Sequence, residues 1–205
     1  GLDGLAEGRK ATEYRGVAVS ASATHTANSF IANGGGAGTG VSVIGTVNTN
    51  IVGGSTTAQI ADATAKADGA DVSVRADDAT NSGALVGTVS VEGAAFGTGS
   101  SLNLINRTTE AEAARSTITA KNAAITARSA QGIAALTAGV SFADEFGFAN
   151  SNNFVRMEQS TRAALKNSTV NTSGLSVTAD NTAKLNALAK TLGTAGYGGT
   201  VGVGT

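Results

Sequence analysis

One recurrence limits this chain more than anything else in it. The segments VAVSA (17–21), VSVRA (72–76), AAITA (123–127) and LSVTA (175–179) place Val19, Val74, Ile125 and Val177 at spacings of 55, 51 and 52 residues. Ala21, Ala76, Ala127 and Ala179 follow two places later, and Phe30, Leu85, Leu136 and Leu188 keep the same spacings. VSV (41–43), VSV (89–91) and VSF (140–142) recur at 48 and 51, and Ser116-Thr117-Ile118 is matched by Ser168-Thr169-Val170 at 52. Such a period belongs to an array of units, each of which buries its apolar face against its neighbours. The units run about 16–70, 71–122, 123–174 and 175–205, in a single segment spanning 1–205. The drop from 55 to 48 predicts a seven-residue insertion in the first unit, at the Gly-rich stretch NGGGAGTG (33–40).

Within each unit apolar residues alternate with polar ones, as in Val72, Val74 and Ala76 against Ser73, Arg75 and Asp77. Period two over five or six residues predicts strands with one buried face, and the abundance of Val and Thr agrees. A shorter spacing of seven separates Ile118 from Ile125 across Lys121-Asn122, and likewise Ala67 from Val74 and Val170 from Val177. This reads as strand, corner, strand, with both apolar residues turned into one interior. The fold expected is all-β, a right-handed β-helix (β-solenoid) built from repeats of about 52 residues. A unit of this size accommodates one long coil or two shorter ones, and two is the expectation. A helical reading of TTEAEAARS (108–116) and AKLNALAKTL (183–192), where Leu185, Leu188 and Leu192 fit a helical stripe, is set aside. Leu188 shares its repeat position with Leu85 and Leu136, whose neighbours read as Gly-bounded strands.

Composition excludes several classes. The chain has no Cys, so disulfides, thiolate chemistry and Cys-based metal sites are ruled out. Its formal net charge is −1 and its Lys and Arg are scattered singly, which predicts no nucleic-acid partner. Without an apolar run of about 18 residues, no membrane insertion of this segment by a helix is expected. Aromatic residues make up only 4%, so the interior expected is narrow and small-bodied, of Val, Ala and Ile.

His25 is the only histidine, so a triad or zinc site lacks partners and a solvated role is expected. Residues 34–40 carry neither G-x-G-x-x-G nor GK[ST] and read as a surface loop. Asp77-Asp78 and Asp144-Glu145 offer hard-cation ligands, but strand neighbours point to opposite faces, so solvated corners are expected. Asp77, Arg128 and Asp180 align as an outward ladder of alternating sign suited to ion pairs between coils. Asn106, Asn167 and Asn171 begin N-x-[ST] sequons. No catalytic, cofactor-binding or metal residue is assigned, no cofactor is implied, and no enzymatic activity is expected.

The pieces STITAKNAAITA (116–127), GVSF (139–142), GVSV (40–43), TTEAEA (108–113) and STVNTSGLSVTA (168–179) are similar to the repeats of large filamentous adhesins. These are the filamentous-haemagglutinin-like and leukotoxin-type passengers exported by type V secretion, two-partner or autotransporter, and the resemblance covers the chain from about residue 16. It implies a rigid β-helix stalk at a bacterial cell surface, associated with the outer membrane and drawn from a larger surface protein. Its partners would be a receptor or glycan on host cells or other bacteria, with end-to-end or lateral self-association besides. No secretion-recognition domain or anchoring barrel is seen in the chain. Alternatives are a polysaccharide-acting β-helix enzyme and the stalk of a contact-delivered toxin. Ice binding is disfavoured because Arg75 and Arg128 interrupt any flat Thr array.

Overall fold

A computed structural model describes residues 16–36, 40–195 and 200–204. The described residues form strands and no helix: β1 (Gly16–Gly36), β2 (Val41–Ala61), β3 (Thr64–Ala67), β4 (Asp71–Ala114), β5 (Thr117–Lys166), β6 (Thr169–Ala195) and β7 (Thr200–Gly204). All their ladders are parallel and belong to one sheet. Parallel pairing of consecutive strands needs a crossover, and here the chain itself provides it by coiling. The helical reading therefore fails: 108–114 ends β4, and 183–192 lies in β6 with Leu185 and Leu188 on opposite faces.

Register defines the coil. Val19 pairs with Val74, Val74 with Ile125 and Ile125 with Val177; Phe30, Leu85, Leu136 and Leu188 are linked in the same way. Gly16 pairs with Asp71, Val41 with Ala94, Val72 with Ala123 and Thr117 with Thr169, offsets of 55, 53, 51 and 52 residues. No described ladder has half that offset, so each circuit is one long coil rather than two short ones. The Gly-rich stretch is also corrected. Residues 33–36 belong to β1, opposite Thr88 to Val91, and Val41-Ser42-Val43 lies beside Ala94-Ala95-Phe96 rather than beside Val89-Ser90-Val91. The offset falls by two at this bend, from 55 to 53, instead of by seven; residues 37–39 lie outside the described residues.

Each coil is folded flat. β4 runs out from Asp71, bends at Gly93 and returns to Ala114; β5 bends at Asp144-Glu145, where the ladder steps from Glu92–Ala143 to Ala94–Phe146. Side chains tie the outgoing and returning halves together: Asn33 Nδ2 donates to Thr46 Oγ1 at 2.9 Å, and Ser141 Oγ to the Ala95 carbonyl at 2.7 Å. Gly139 permits the close approach, since a Cβ there would sit 2.7 Å from the Asn150 carbonyl oxygen.

At the other end the coil closes through two corners. Asp62, Arg115 and Asn167 occupy the same corner in successive coils, all with positive φ (51°, 47° and 47°). That conformation suits Asp and Asn and is costly for Arg. Arg115 N donates to the Lys166 carbonyl and Asp62 N to the Ala114 carbonyl, so the ladder turns the corner unbroken. The recurring Ser then has a physical role: Ser116 Oγ donates to the Ala114 carbonyl and Ser168 Oγ to that of Lys166, a second hydrogen bond on carbonyls that already accept from the neighbouring coil, which fixes the turn. The second corner holds the exposed Lys121 and Asn122. On its two sides Ile118 and Ile125 are 0% and 1% exposed, within one interior.

That interior is apolar. Val72, Val74, Ile118 and Ile125 pack with Ala65, Ala76, Ala111 and Ala127 and their neighbours. Each fully buried Val or Ile is worth about 1.5–3 kcal/mol. Towards the bend the interior becomes mixed: Val86, Ile105, Ile133 and several Ala remain buried, but among them Thr80, Ser82, Thr88, Ser90, Ser101, Thr137 and Ser141 are also buried and inward, and large apolar residues such as Leu85, Val91, Leu136 and Phe142 lie outside. Val177, aligned with Val74 and Ile125, is 44% exposed on β6, whose far side carries no described strand beyond β5.

Candidate functional surfaces

Two outer regions and one buried cluster gather the chemistry. Near the corners the outward positions are charged. Arg75 pairs with Asp77 on its own strand, and this hydrogen bond raises the Arg75 guanidinium above its ordinary value. Arg128 meets Asp180 across coils at 3.4 Å. The ladder of alternating sign therefore forms between Arg128 and Asp180, whereas Asp77 is taken by Arg75. With Ser22, Thr24 and Thr182 these side chains line a shallow groove of about 370 Å³. On the returning half Lys166 donates to Glu112 at 2.7 Å, and that hydrogen bond holds the Glu112 carboxyl below the usual carboxylate range. Asp62, exposed at the corner, is held low in the same way by Arg115 Nη2 at 2.5 Å. The partly exposed Arg75–Asp77 and Arg128–Asp180 pairs contribute about 0–1 kcal/mol each.

Asp78 is a correction. It faces inward, not a solvated corner, and forms an ion pair with Arg107, their side chains 0% and 3% exposed. Arg107 Nε donates to Asp78 Oδ2 at 2.8 Å, Arg107 Nη1 to the Gly53 carbonyl at 3.2 Å, and Thr80 Oγ1 to Asp78 Oδ1 at 2.9 Å. The pair joins the outgoing and returning halves of one coil. Its ladder partners explain why it fits: Arg107 lies beside Gly54, where a Cβ would come within 2.5 Å of Arg107 Nη1. In the next coil Asp78 and Arg107 are replaced by Ser129 and Gln159. Arg107 escaped the sequence reading because its partner lies 29 residues away on the other half of the coil. The available signal was one Arg among small inward residues opposite one inward Asp.

The remaining candidates are dispersed. His25 sits at an inward register position beside Thr80 but is exposed, being on β1. Asp144 and Glu145 are exposed at the bend, as expected for a solvated corner. Asn106, Asn167 and Asn171 are exposed. Among the described residues no three His, Asp or Glu side chains come together in a geometry able to hold a metal ion.

The second outer region is apolar. Phe30, Leu85, Leu136 and Leu188 form one outward column, from 37% to 70% exposed. Val89, Val91 and Phe142 are exposed beyond it. On the returning half Phe96 lies 5.6 Å from Phe146 and 6.3 Å from Phe148, ring centre to ring centre, with exposed Val43 beside it in the ladder. A groove of about 760 Å³ runs along Gly83, Ala134 and Asn186 beside the Leu column. Compared with known proteins, the chain matches no family model, no curated protein and no solved structure.

Proposed function

We propose that this chain is a stretch of rigid, non-catalytic stalk from a filamentous bacterial adhesin, displayed at the cell surface after type V secretion and engaged in attachment to host cells or other bacteria. The observation that carries the reading is the parallel ladder in which residues pair 51 to 55 positions apart, with one step at the bend. A wall so wound extends by adding coils, about 4.8 Å each, and presents the same outward columns at every level. We read it as right-handed, because parallel crossovers of a right-twisted strand close favourably in that hand, and as an array of units of about 52 residues. The resemblance to filamentous-haemagglutinin-like repeats supports the same role.

Binding by such a rod is polyvalent, each contact weak and the repeat supplying avidity. The partner is a surface receptor or glycan, and the Ser, Thr and charged columns around Asp77, Arg128 and Asp180 are where polar ligands would meet side chains repeated along the axis. The test is adherence of beads coated densely with the chain to epithelial cells and to bacteria. Dense beads are expected to adhere, while the soluble chain competes only at high concentration. Failure of dense beads to bind cells or any of a panel of immobilised glycans overturns the reading. So does glycan cleavage by the chain that disappears in Asp77→Asn or Asp180→Asn, which would establish the enzymatic alternative.

A further inference from the structure

On the outgoing half near the bend, outward columns alternate in size across the sheet. Asn28, Gly83 and Ala134 form a small column; Phe30, Leu85, Leu136 and Leu188 a large one; Ala32, Gly87 and Ala138 a small one; Val89, Val140 and Leu192 a large one. Packing within the chain explains only part of the low columns: a Cβ on Gly83 would meet Asn28 Oδ1 at 2.5 Å and one on Gly132 would meet Asn81 Oδ1 at 2.7 Å, so those two glycines make room for an asparagine of the neighbouring coil, whereas Gly87 has no such neighbour. A Cβ placed on Gly87 would meet no atom within 4 Å, so the furrow beside Leu85 is open. Nor can the face find cover from its own interior, because the inward positions of the same strands are the buried Thr88, Ser90 and Thr137.

We propose that a second copy of this chain covers this face, related to the first by a two-fold axis running along the ladders between the Leu85 and Gly87 columns. This rotation sets the two faces against each other and keeps every coil at its own height. Leu85 and Leu136 of one copy then enter the furrow of Gly87 and Ala138 in the other, and Val89 and Val140 meet Gly83 and Ala134. Farther out, Phe142 reaches the Asn81 side chain that lies over Gly132. The ridges of the two middle coils, Leu85 and Leu136, thus meet small residues, and both charged columns near the corners stay at the rim in water. Lys190, the last member of the Gly87 column, lays its aliphatic stem beside the opposite Leu188. Outward columns stand about 6.7 Å apart and coils about 4.8 Å, so six columns over four coils cover roughly 770 Å² per copy. The total of about 1,500 Å² lies within the range of specific protein pairs. A lipid surface fits less well: the region has no basic stripe, and the bend carries the exposed Asp144 and Glu145. The pairing stands independently of what the rod binds.

Sedimentation velocity of the whole 205-residue chain, from about 10 nM with fluorescence detection to about 100 μM, is the test, a range that includes the weaker half of the Kd values found for specific pairs of this size. The chain is expected to dimerise. Gly87→Val with Ala138→Val fills the furrow with residues suited to strands and is expected to raise the dimer Kd at least about tenfold with an unchanged far-ultraviolet circular dichroism spectrum. Should that variant lose its β spectrum, Leu136→Ser, which removes a ridge at an exposed position, decides by the same criterion. A wild-type chain that stays monomeric throughout overturns the proposal. So does a dimer that survives the folded variant, since association through the coil ends leaves these columns untouched. Flotation of a monomeric chain with vesicles of phosphatidylcholine and phosphatidylglycerol assigns the face to lipid instead.

Discussion

The half of each coil near the corners and the half near the bend share one backbone and reverse each other's chemistry. At the corners Val72, Val74, Ile118 and Ile125 face in, and Arg75, Asp77 and Arg128 face out. At the bend Thr88, Ser90, Thr137 and Ser141 face in, and Leu85, Val91, Leu136 and Phe142 face out. No slip of register marks the change, because β4 keeps even-numbered residues inward from Val72 to Ser90. A one-residue slip would exchange the faces; here the residue types exchange instead. The parallel ladder therefore holds the strand phase across both halves, with burial of apolar side chains dominating one half and a mixture of Val86, Ile105, Ile133 and closely packed Ser and Thr filling the other.

The contrast can be broken most forcefully at the buried pair. Arg107→Met leaves Asp78 charged and without its guanidinium inside the wall, with an expected loss of about 3–5 kcal/mol, read as a fall in the urea midpoint. Asp78→Ser with Arg107→Gln installs the side chains that the next coil uses and is expected to recover most of that loss; equal damage from single and double variants would show that the pair does not act as a unit.

Truncating the apolar core comes next. Ile125→Ala is expected to cost about 2–5 kcal/mol, the higher end if the neighbouring coils cannot close on the cavity. A smaller effect of opposite sign is expected in the polar half. Thr137 is fully buried and its Oγ1 has no hydrogen-bond partner. Thr137→Val removes that hydroxyl at nearly constant shape and is expected to raise stability by about 1 kcal/mol. Loss of stability there would mean that the hydroxyl is satisfied in solution and that the interior at the bend is wet.

The smallest effect is in acid. Glu112 and Asp62 have carboxyls held below their ordinary values by Lys166 and Arg115. A carboxyl depressed in the folded state binds fewer protons there than in the unfolded chain, so its contribution is complete above the unfolded value and fades as pH falls through the folded one. The urea midpoint is expected to be level from about pH 7 to about pH 5 and to drop below about pH 4.5, less steeply in Glu112→Gln. A profile identical in that variant would remove Glu112 from the account.

Strand phase was legible wherever inward residues were apolar. Val19, Val74, Ile125 and Val177 aligned on spacing alone, as did the Leu188 column, and both are ladder partners. The side-chain clusters were less legible. Pairing VSV (41–43) with VSV (89–91) misled because identical tripeptides lie on opposite halves of the coil, where Val41 pairs with Ala94. Asp78 was read as a solvated corner because adjacent strand residues cannot converge on a cation and nothing local announces an Arg on the facing layer; the same alternation already required one of Asp77 and Asp78 to face inward.

Period and alternation are carried by residue types at fixed separations, so the string of letters was enough to establish strands, their phase and the columns that stack. The length of a circuit, the meeting of Asp78 with Arg107 and the side on which Leu85 and Leu136 lie depend on which distant stretches face one another. A ladder accepts any side chain at a given place, and only the bend at Gly93 and Asp144-Glu145 brings the two halves together.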